Sequence, residues 1–481
     1  MANVSSQHRP TSLRQAAIPV LGLLVTITYG LIVRPRLLGL DAIPLEIVFV
    51  IAASVAILHL SLMGFSWIEI QESIVKKLSK GLPMILILFA IGLIIGSWII
   101  SGTIPMLVYY GIKFINPTYL YLLAFLVPAI FSSFTGTSWG SVGTIGIVII
   151  GVAGAVNAHL GITAGAIIAG AFFGDKLSPL SDTTNIAAIA TEVPLYDHIQ
   201  SMMYTTVPSA ILAMSSFFLL GFIYPITDAG QDFVSVNQTL LAIGGMFTFN
   251  PLLLLPPCYV LYASIRRKAT LPTLVIASAM AIVLALAFQS FSLSALIQTL
   301  YKGFSHTMYH GPHSIPENVQ RLFDRGGLYE LNEPIIISIM VFIFIGAIDR
   351  ISAMPIIVDR LFSFAKKKST IILSSLFSSA LTNAMTSNQF ATSFVVGDAF
   401  KSKYDEFNIP RKVLSRSIED YGTMIESLIP WTTTTIFMSA TLGVPFAEYW
   451  HWQLLSLFNL IVAPSLAILG IGCFYPKGET R

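Results

Sequence analysis

The chain has 481 residues, of which 55% are hydrophobic and only 11% charged, and its formal net charge is +3. A soluble chain carries about 25% charged residues, so this composition excludes a soluble globular enzyme and points to a polytopic membrane protein. The basic residues stand in short clusters rather than one long tract, which argues against nucleic-acid binding.

Residues 1–15, with Arg9 and Arg14, read as a short cytoplasmic segment. The apolar run at 16–33 is longer than a signal-peptide core and no small-residue cleavage site follows, so it is predicted as the first transmembrane helix. Further spans are predicted at 43–63, 82–100, 201–225, 238–263, 270–290, 334–349 and 450–474, each near the roughly 20 residues a bilayer core requires. Two uncharged stretches fit this pattern badly. Residues 114–158 are interrupted by F-S-S-F-T-G-T-S-W-G-S-V-G at 131–143, and residues 369–397 by L-T-N-A-M-T-S-N-Q at 381–389. Polar interruptions at membrane depth are tolerated where backbone is buried in protein or lines water. Lys76, Lys77 and Lys80, then Arg266, Arg267 and Lys268, then Lys366 to Lys368, mark cytoplasmic loops by the positive-inside rule. Residues 305–333 read as an extracytoplasmic loop with short amphipathic helices. Its His306, His310 and His313 fit solvated side chains better than a metal site. Cys258 and Cys473 lie in apolar runs and imply no disulfide.

The chemistry concentrates at Gly170 to Thr191, where Asp175, Lys176, Asp182, Pro179 and several hydroxyls interrupt apolar, small-residue sequence. Ionisable groups at membrane depth are costly and mark functional sites, and a proline frees carbonyls by breaking the helix. The pattern recurs. D-K-L-S-P-L-S-D-T-T at 175–184 lies about 251 residues before E-S-L-I-P-W-T-T-T-T at 426–435, which sets Asp175 on Glu426 and Pro179 on Pro430. T-G-T-S-W at 135–139 lies about 247 residues before T-N-A-M-T-S-N-Q at 382–389. Paired interrupted segments point to the central site of a transporter. The predicted fold is therefore all-α and polytopic, with about 10–13 transmembrane helices in two related halves. The halves are 16–265, with breaks at 131–143 and 174–185, and 266–481, with breaks at 382–389 and 426–435. The broken or re-entrant helices are predicted to meet around one cavity at mid-membrane.

Asp182 leads the candidate acids, followed by Asp175 and Glu426, and a sodium ion is assigned to Asp182 and Asp175. A buried carboxylate can hold either a proton or a sodium ion. Thr135, Thr137, Ser138, Ser181, Thr183, Asn185, Asn383, Ser387, Asn388, Thr432 and Thr433 offer the hard oxygens that a small cation prefers. The competing structural reading has Asp182 capping a helix and Asp175 paired with Lys176. Glu46, Glu69, Asp349, Asp398, Glu419 and Asp420 read as interfacial. No Walker-type run is present, so ATP-driven transport by this chain alone is disfavoured, and no nucleophile constellation suggests an enzyme.

G-D-K-L-S-P-L-S-D-T-T-N-I-A from Gly174, with T-G-T-S-W-G-S upstream and E-S-L-I-P-W-T-T-T-T downstream, resembles the NhaC-type sodium/proton antiporters of the ion transporter superfamily. The resemblance implies a secondary antiporter of the bacterial inner membrane that exchanges cytoplasmic sodium for external protons. It implies no cofactor beyond the transported Na+ and H+. The same family includes malate and lactate exchangers, so a small organic acid is the alternative substrate, and Lys176 keeps that reading open. A channel or sensor is disfavoured by the paired interruptions. An oligomer is compatible with the sequence.

Overall fold

The computed structural model of the chain describes residues 11–114, 116–225, 232–266, 268–311, 315–361 and 365–475. His313, Arg267 and most of the 1–15 segment lie outside the described residues. The fold is 80% helical, with no strand among the described residues. Nine helices there are long and apolar enough to cross a membrane, or eleven if each of two bent pairs is one span, against the 10–13 predicted.

Helices α1 (Leu13–Leu37) and α2 (Leu45–Leu62) lead into α3 (Trp67–Ile100) and the short α4 (Thr103–Phe114). Two broken pairs follow, α5 (Leu120–Thr135) with α6 (Ser138–Ala155), and α7 (Leu160–Leu177) with α8 (Asp182–Ala190). Helix α9 (Leu195–Ile223) ends this set. A connecting region holds α10 (Asn237–Met246), α11 (Pro251–Ala263), α12 (Thr270–Phe288), α13 (Leu293–Lys302) and α14 (Glu317–Phe323). Then come α15 (Asn332–Asp349), α16 (Ala353–Leu361), and the broken pair α17 (Lys368–Thr386) and α18 (Gln389–Glu406). Helix α19 runs as Arg411–Ile418, passes through a π-helical turn at Glu419–Thr423, and ends as Met424–Glu426. Helix α20 (Thr433–Leu442) completes that pair, and α21 (Phe446–Trp452) and α22 (Leu454–Leu469) close the chain.

Backbone conformation exposes the repeat more clearly than residue identity does. Gly136 and Ser387 are both left-handed (φ 67° and 48°), as are Asn157 and Asn408 (54° and 52°) and Glu192 and Gly443 (58° and 68°). Each pair is 251 residues apart. Leu160 and Arg411, and likewise Leu195 and Phe446, start equivalent helices at the same spacing. The spacing of 247 read for the first motif pair is therefore corrected to 251, with Gly136-Thr137 on Ser387-Asn388. Matching Thr135 to Thr382 slipped the register by four residues, close to one helical turn, which leaves each side chain on nearly the same face.

The two halves run in opposite directions. Helix α3 and its twin α15 are antiparallel, since Lys77 meets Asp349 at 3.1 Å and Arg350 meets Glu69 at 2.7 Å, while Gly327 at the other end bonds Gly92. An inverted repeat of this kind lets one half replace the other as the gate on either side of a central site. Packing also redraws the halves. Helices α1 and α2 share a core with α15 and α16, whereas α12 packs beside α3, with Ser278 Oγ 2.9 Å from Ser97 Oγ.

Four predicted elements differ. Lys76, Lys77 and Lys80 lie inside α3 rather than in a loop, because Ser66 and Glu69 form a capping box that starts the helix before them. The span predicted at 238–263 is two helices meeting at 97°, and the one at 450–474 belongs to a pair bent by 48°. The 305–333 loop is docked on the bundle, with Val319, Phe323 and Leu331 buried. His306 in it donates its backbone N–H to Asp324 Oδ1 at 2.6 Å, and its ring Nδ1 meets Asp324 Oδ2 at 2.5 Å.

Helix α7 lies against α5 at backbone contact. A methyl group at Gly170 would strike the Phe125 carbonyl, and one at Gly174 the Ala129 carbonyl and Ser133 nitrogen. Such small-xxx-small faces let membrane helices approach closely. Gly170→Ala and Gly174→Ala should each lower stability by about 1–3 kcal/mol through overpacking, read as a fall in thermal unfolding temperature of the purified protein.

Candidate functional site

Each half builds its part of the site from two helix breaks that touch. Pro179 and Pro430 interrupt the second break of each half, where a missing backbone donor prevents helix continuation. Helix starts are secured by matched caps, with Thr137 accepting from Gly140 N and Asn388 from Ala391 N. Ser181 accepts from Thr184 N and Thr432 from Thr435 N in the same way. The breaks cross within each half. The Ser387 hydroxyl donates to the Trp431 carbonyl at 3.4 Å, and Gly136 packs against the backbone of Leu180, the position equivalent to Trp431.

All four breaks line one cavity of about 300 Å³. It is lined by Thr137, Ser138, Asp175, Asp182 and Thr183 from one half and Ser387, Asn388, Glu426 and Thr433 from the other. Gln389 and Thr423, which are not among the candidates, also line it, as does Thr434 of the threonine tract. Trp139 and Phe437 stack across the halves with ring centroids 4.2 Å apart.

Asp175 and Glu426 occupy twin positions at the ends of α7 and α19, and are 6% and 8% exposed. Ser181 and Ser138 are the polar neighbours of the Asp175 carboxylate. Glu426 accepts from Asn383 Nδ2 at 2.7 Å and from Thr434 Oγ1 at 2.6 Å. The C-terminal ends of α7 and α19 lie beside these acids with their last carbonyls bonded to Thr184 and Thr435 hydroxyls, and the negative end of each helix dipole favours a cation there.

Asp182, ranked first from sequence, is the first residue of α8 and is exposed at the cavity; Ser181 rather than Asp182 caps that helix. Lys176 does not pair with Asp175. Its ammonium, 1% exposed, meets Asp420 Oδ1 at 2.6 Å. Five other candidates do not line the cavity, Ser181 among them, which caps α8. Thr135 faces Ser141, while Asn185 spends its amide on the carbonyls of Pro179 and Ser181. Thr432 donates to the Glu426 carbonyl, and Asn383 reaches the site through Glu426 and Gln389. These hydroxyls and amides satisfy backbone freed by the breaks, a role hydroxyls commonly take in apolar helices.

The acids read as interfacial need the largest correction. Glu419 and Asp420 are 0% and 1% exposed. Asp420 also accepts from Thr205 at 3.0 Å and Asn459 at 3.2 Å, with Arg416 Nε 3.9 Å away. The one sequence signal was the pairing of two adjacent acids with Arg416 four residues before the second.

The sequence model of the Na+/H+ antiporter family matches residues 170–471. The chain is 37% identical to an uncharacterized Na+/H+ antiporter of Haemophilus influenzae, over 98% of this chain and 99% of that protein. It is 34% identical to the Na+/H+ antiporter NhaC of Bacillus subtilis, over 84% of this chain and 87% of that one. A malate-2H+/Na+-lactate antiporter of Bacillus subtilis is 30% identical over 91% of this chain and 92% of its own length.

Proposed function

The chain belongs to the Na+/H+ antiporter family, and on that footing we propose that it exchanges sodium for protons through the cavity between its two halves. The observation that carries this reading is the meeting of two twin acids, Asp175 and Glu426, in one cavity lined by all four helix breaks. Each acid binds a proton or helps bind a sodium ion, and the two occupancies exclude one another. Exposure of the loaded site first to one side and then to the other turns that exclusion into exchange. The negative dipole ends of α7 and α19 add to the attraction for a cation. Asp182, at the exposed edge of the cavity, draws cations in.

Lys80 also lines the cavity, and α12 runs parallel to α3, so Lys76, Lys77 and Lys80 share one end of the bundle with Arg266 and Lys268. By the positive-inside rule that end faces the cytoplasm, in the cytoplasmic membrane of a bacterium.

A second reading is proton- and sodium-coupled exchange of a small organic acid, as named for one relative. Lys176 no longer favours it, since that ammonium is taken by Asp420, but Lys80 could meet a carboxylate. Purified protein in liposomes decides between them, with sodium, malate and lactate supplied singly as triggers of proton movement. Sodium alone should suffice. Silence with sodium, relieved when malate or lactate is placed on the opposite side, would replace the first reading with the second.

A further inference from the structure

Glu419 is fully buried, and neither carboxylate oxygen has a hydrogen-bond partner among the described residues. Its twin position, 251 residues earlier, is Ile168, also fully buried. An aliphatic side chain therefore fills this place in the fold, and packing does not explain an acid. Burying a lone carboxylate costs several kcal/mol, so an acid held here without a donor carries its proton.

The surroundings connect it to the cavity. Glu419, Thr423 and Glu426 follow at intervals of four and three residues, which places them along one side of α19. Thr423 and Glu426 line the cavity. The Thr423 hydroxyl is likewise unpartnered and faces Glu419 just outside hydrogen-bond geometry. Its own twin is Phe172, so the polar line exists in the second half alone. The charged groups that face Glu419 are Lys176 and Asp175 of α7 and Glu426 of its own helix. Asp420 and Arg416 adjoin it on that helix, paired as described. From the other elements packed on this turn, α8 brings Asp182 at the cavity edge and α9 brings His198, bonded to Ser415 at 2.8 Å; Asn383 of α17, Gln389 of α18 and Asn459 of α22 are neutral.

We propose that Glu419 is a second proton-holding residue, which exchanges its proton with Glu426 through the Thr423 hydroxyl. The transfer is balanced. The Glu419 carboxyl gives its proton to the Thr423 oxygen as that hydroxyl passes its own to the Glu426 carboxylate, leaving Glu419 ionised near Lys176 and Glu426 neutral. This role rests on sodium/proton exchange at the cavity. A sodium ion arriving there disfavours both protons together, so each sodium bound should release more than one.

The test is proton release on adding sodium to the purified protein in weakly buffered detergent solution, with sodium self-exchange in liposomes as the companion measurement. Glu419→Gln should release about one fewer proton per sodium bound, by linkage, while sodium self-exchange continues near the unsubstituted rate. Glu419→Ile, which installs the twin residue, should behave alike and keeps the test open if the glutamine variant does not fold. Unchanged proton release in either folded variant would overturn the proposal. So would loss of sodium self-exchange, which would make Glu419 part of the sodium site. An unsubstituted protein that releases no proton on binding sodium would instead remove the underlying sodium/proton reading, and this role with it.

Discussion

Asp175→Asn and Glu426→Gln should each reduce sodium-driven proton movement in liposomes to the level of protein-free vesicles. Either amide keeps the size of the side chain and part of its hydrogen bonding, but a neutral amide carries no proton. Glu426→Gln retains the Thr434 contact, so the folded protein should persist in the membrane. Asp182→Asn is expected to behave differently. Asp182 is exposed and starts α8, where its charge assists cation entry and favours the helix N-terminus, so its loss should weaken sodium affinity only several-fold. Size-exclusion profiles that match the unsubstituted protein would separate loss of exchange from loss of folding.

Lys176→Ala has the largest expected effect on stability. It leaves the buried Asp420 carboxylate without its ammonium partner, with Thr205 and Asn459 as neutral donors and Arg416 too distant for a direct hydrogen bond. Removing one partner of a buried pair costs about 3–5 kcal/mol, enough to unfold a marginally stable protein. The double variant Lys176→Met with Asp420→Asn should recover most of that loss. Its amide oxygen still accepts from Thr205 and Asn459, and Arg416 keeps its bonds to the Ser201 and Gly472 carbonyls. Thermal unfolding of both variants checks the expectation. A double variant no more stable than Lys176→Ala would show that the ammonium acts on more than Asp420.

The helix breaks were legible because they rest on local chemistry. Gly-Thr at 136–137, Ser-Asn at 387–388 and the prolines at 179 and 430, each set among clustered hydroxyls in uncharged or nearly uncharged sequence, mark local helix breaks. Their convergence on one cavity was legible from the repeat. The ranking of the acids was not, since exposure is a tertiary property. Asp182 and Asp175 look alike in sequence, yet one is exposed and the other buried. Asp420 finds Lys176 across 244 residues, and no local pattern records that pairing. Glu419 was hidden for a related reason. R-S-I-E-D-Y-G reads as the polar end of a span, but the π-helical turn at Glu419–Thr423 buries both acids instead. The start of α3 is a different case. The S-x-x-E signature at Ser66 was visible, but hydropathy took the lysines after it as a loop.

The central claim is that protons and sodium compete for the acids of one cavity. Sodium affinity of the purified protein, measured by calorimetry across a series of pH values, tests it most directly. Competition with a single proton weakens apparent affinity about tenfold for each pH unit of acidification below the titration of the site, and competition with two protons weakens it more steeply. Asp175→Asn and Glu426→Gln should flatten that dependence. A sodium affinity that stays constant with pH in the unsubstituted protein would contradict shared occupancy of Asp175 and Glu426.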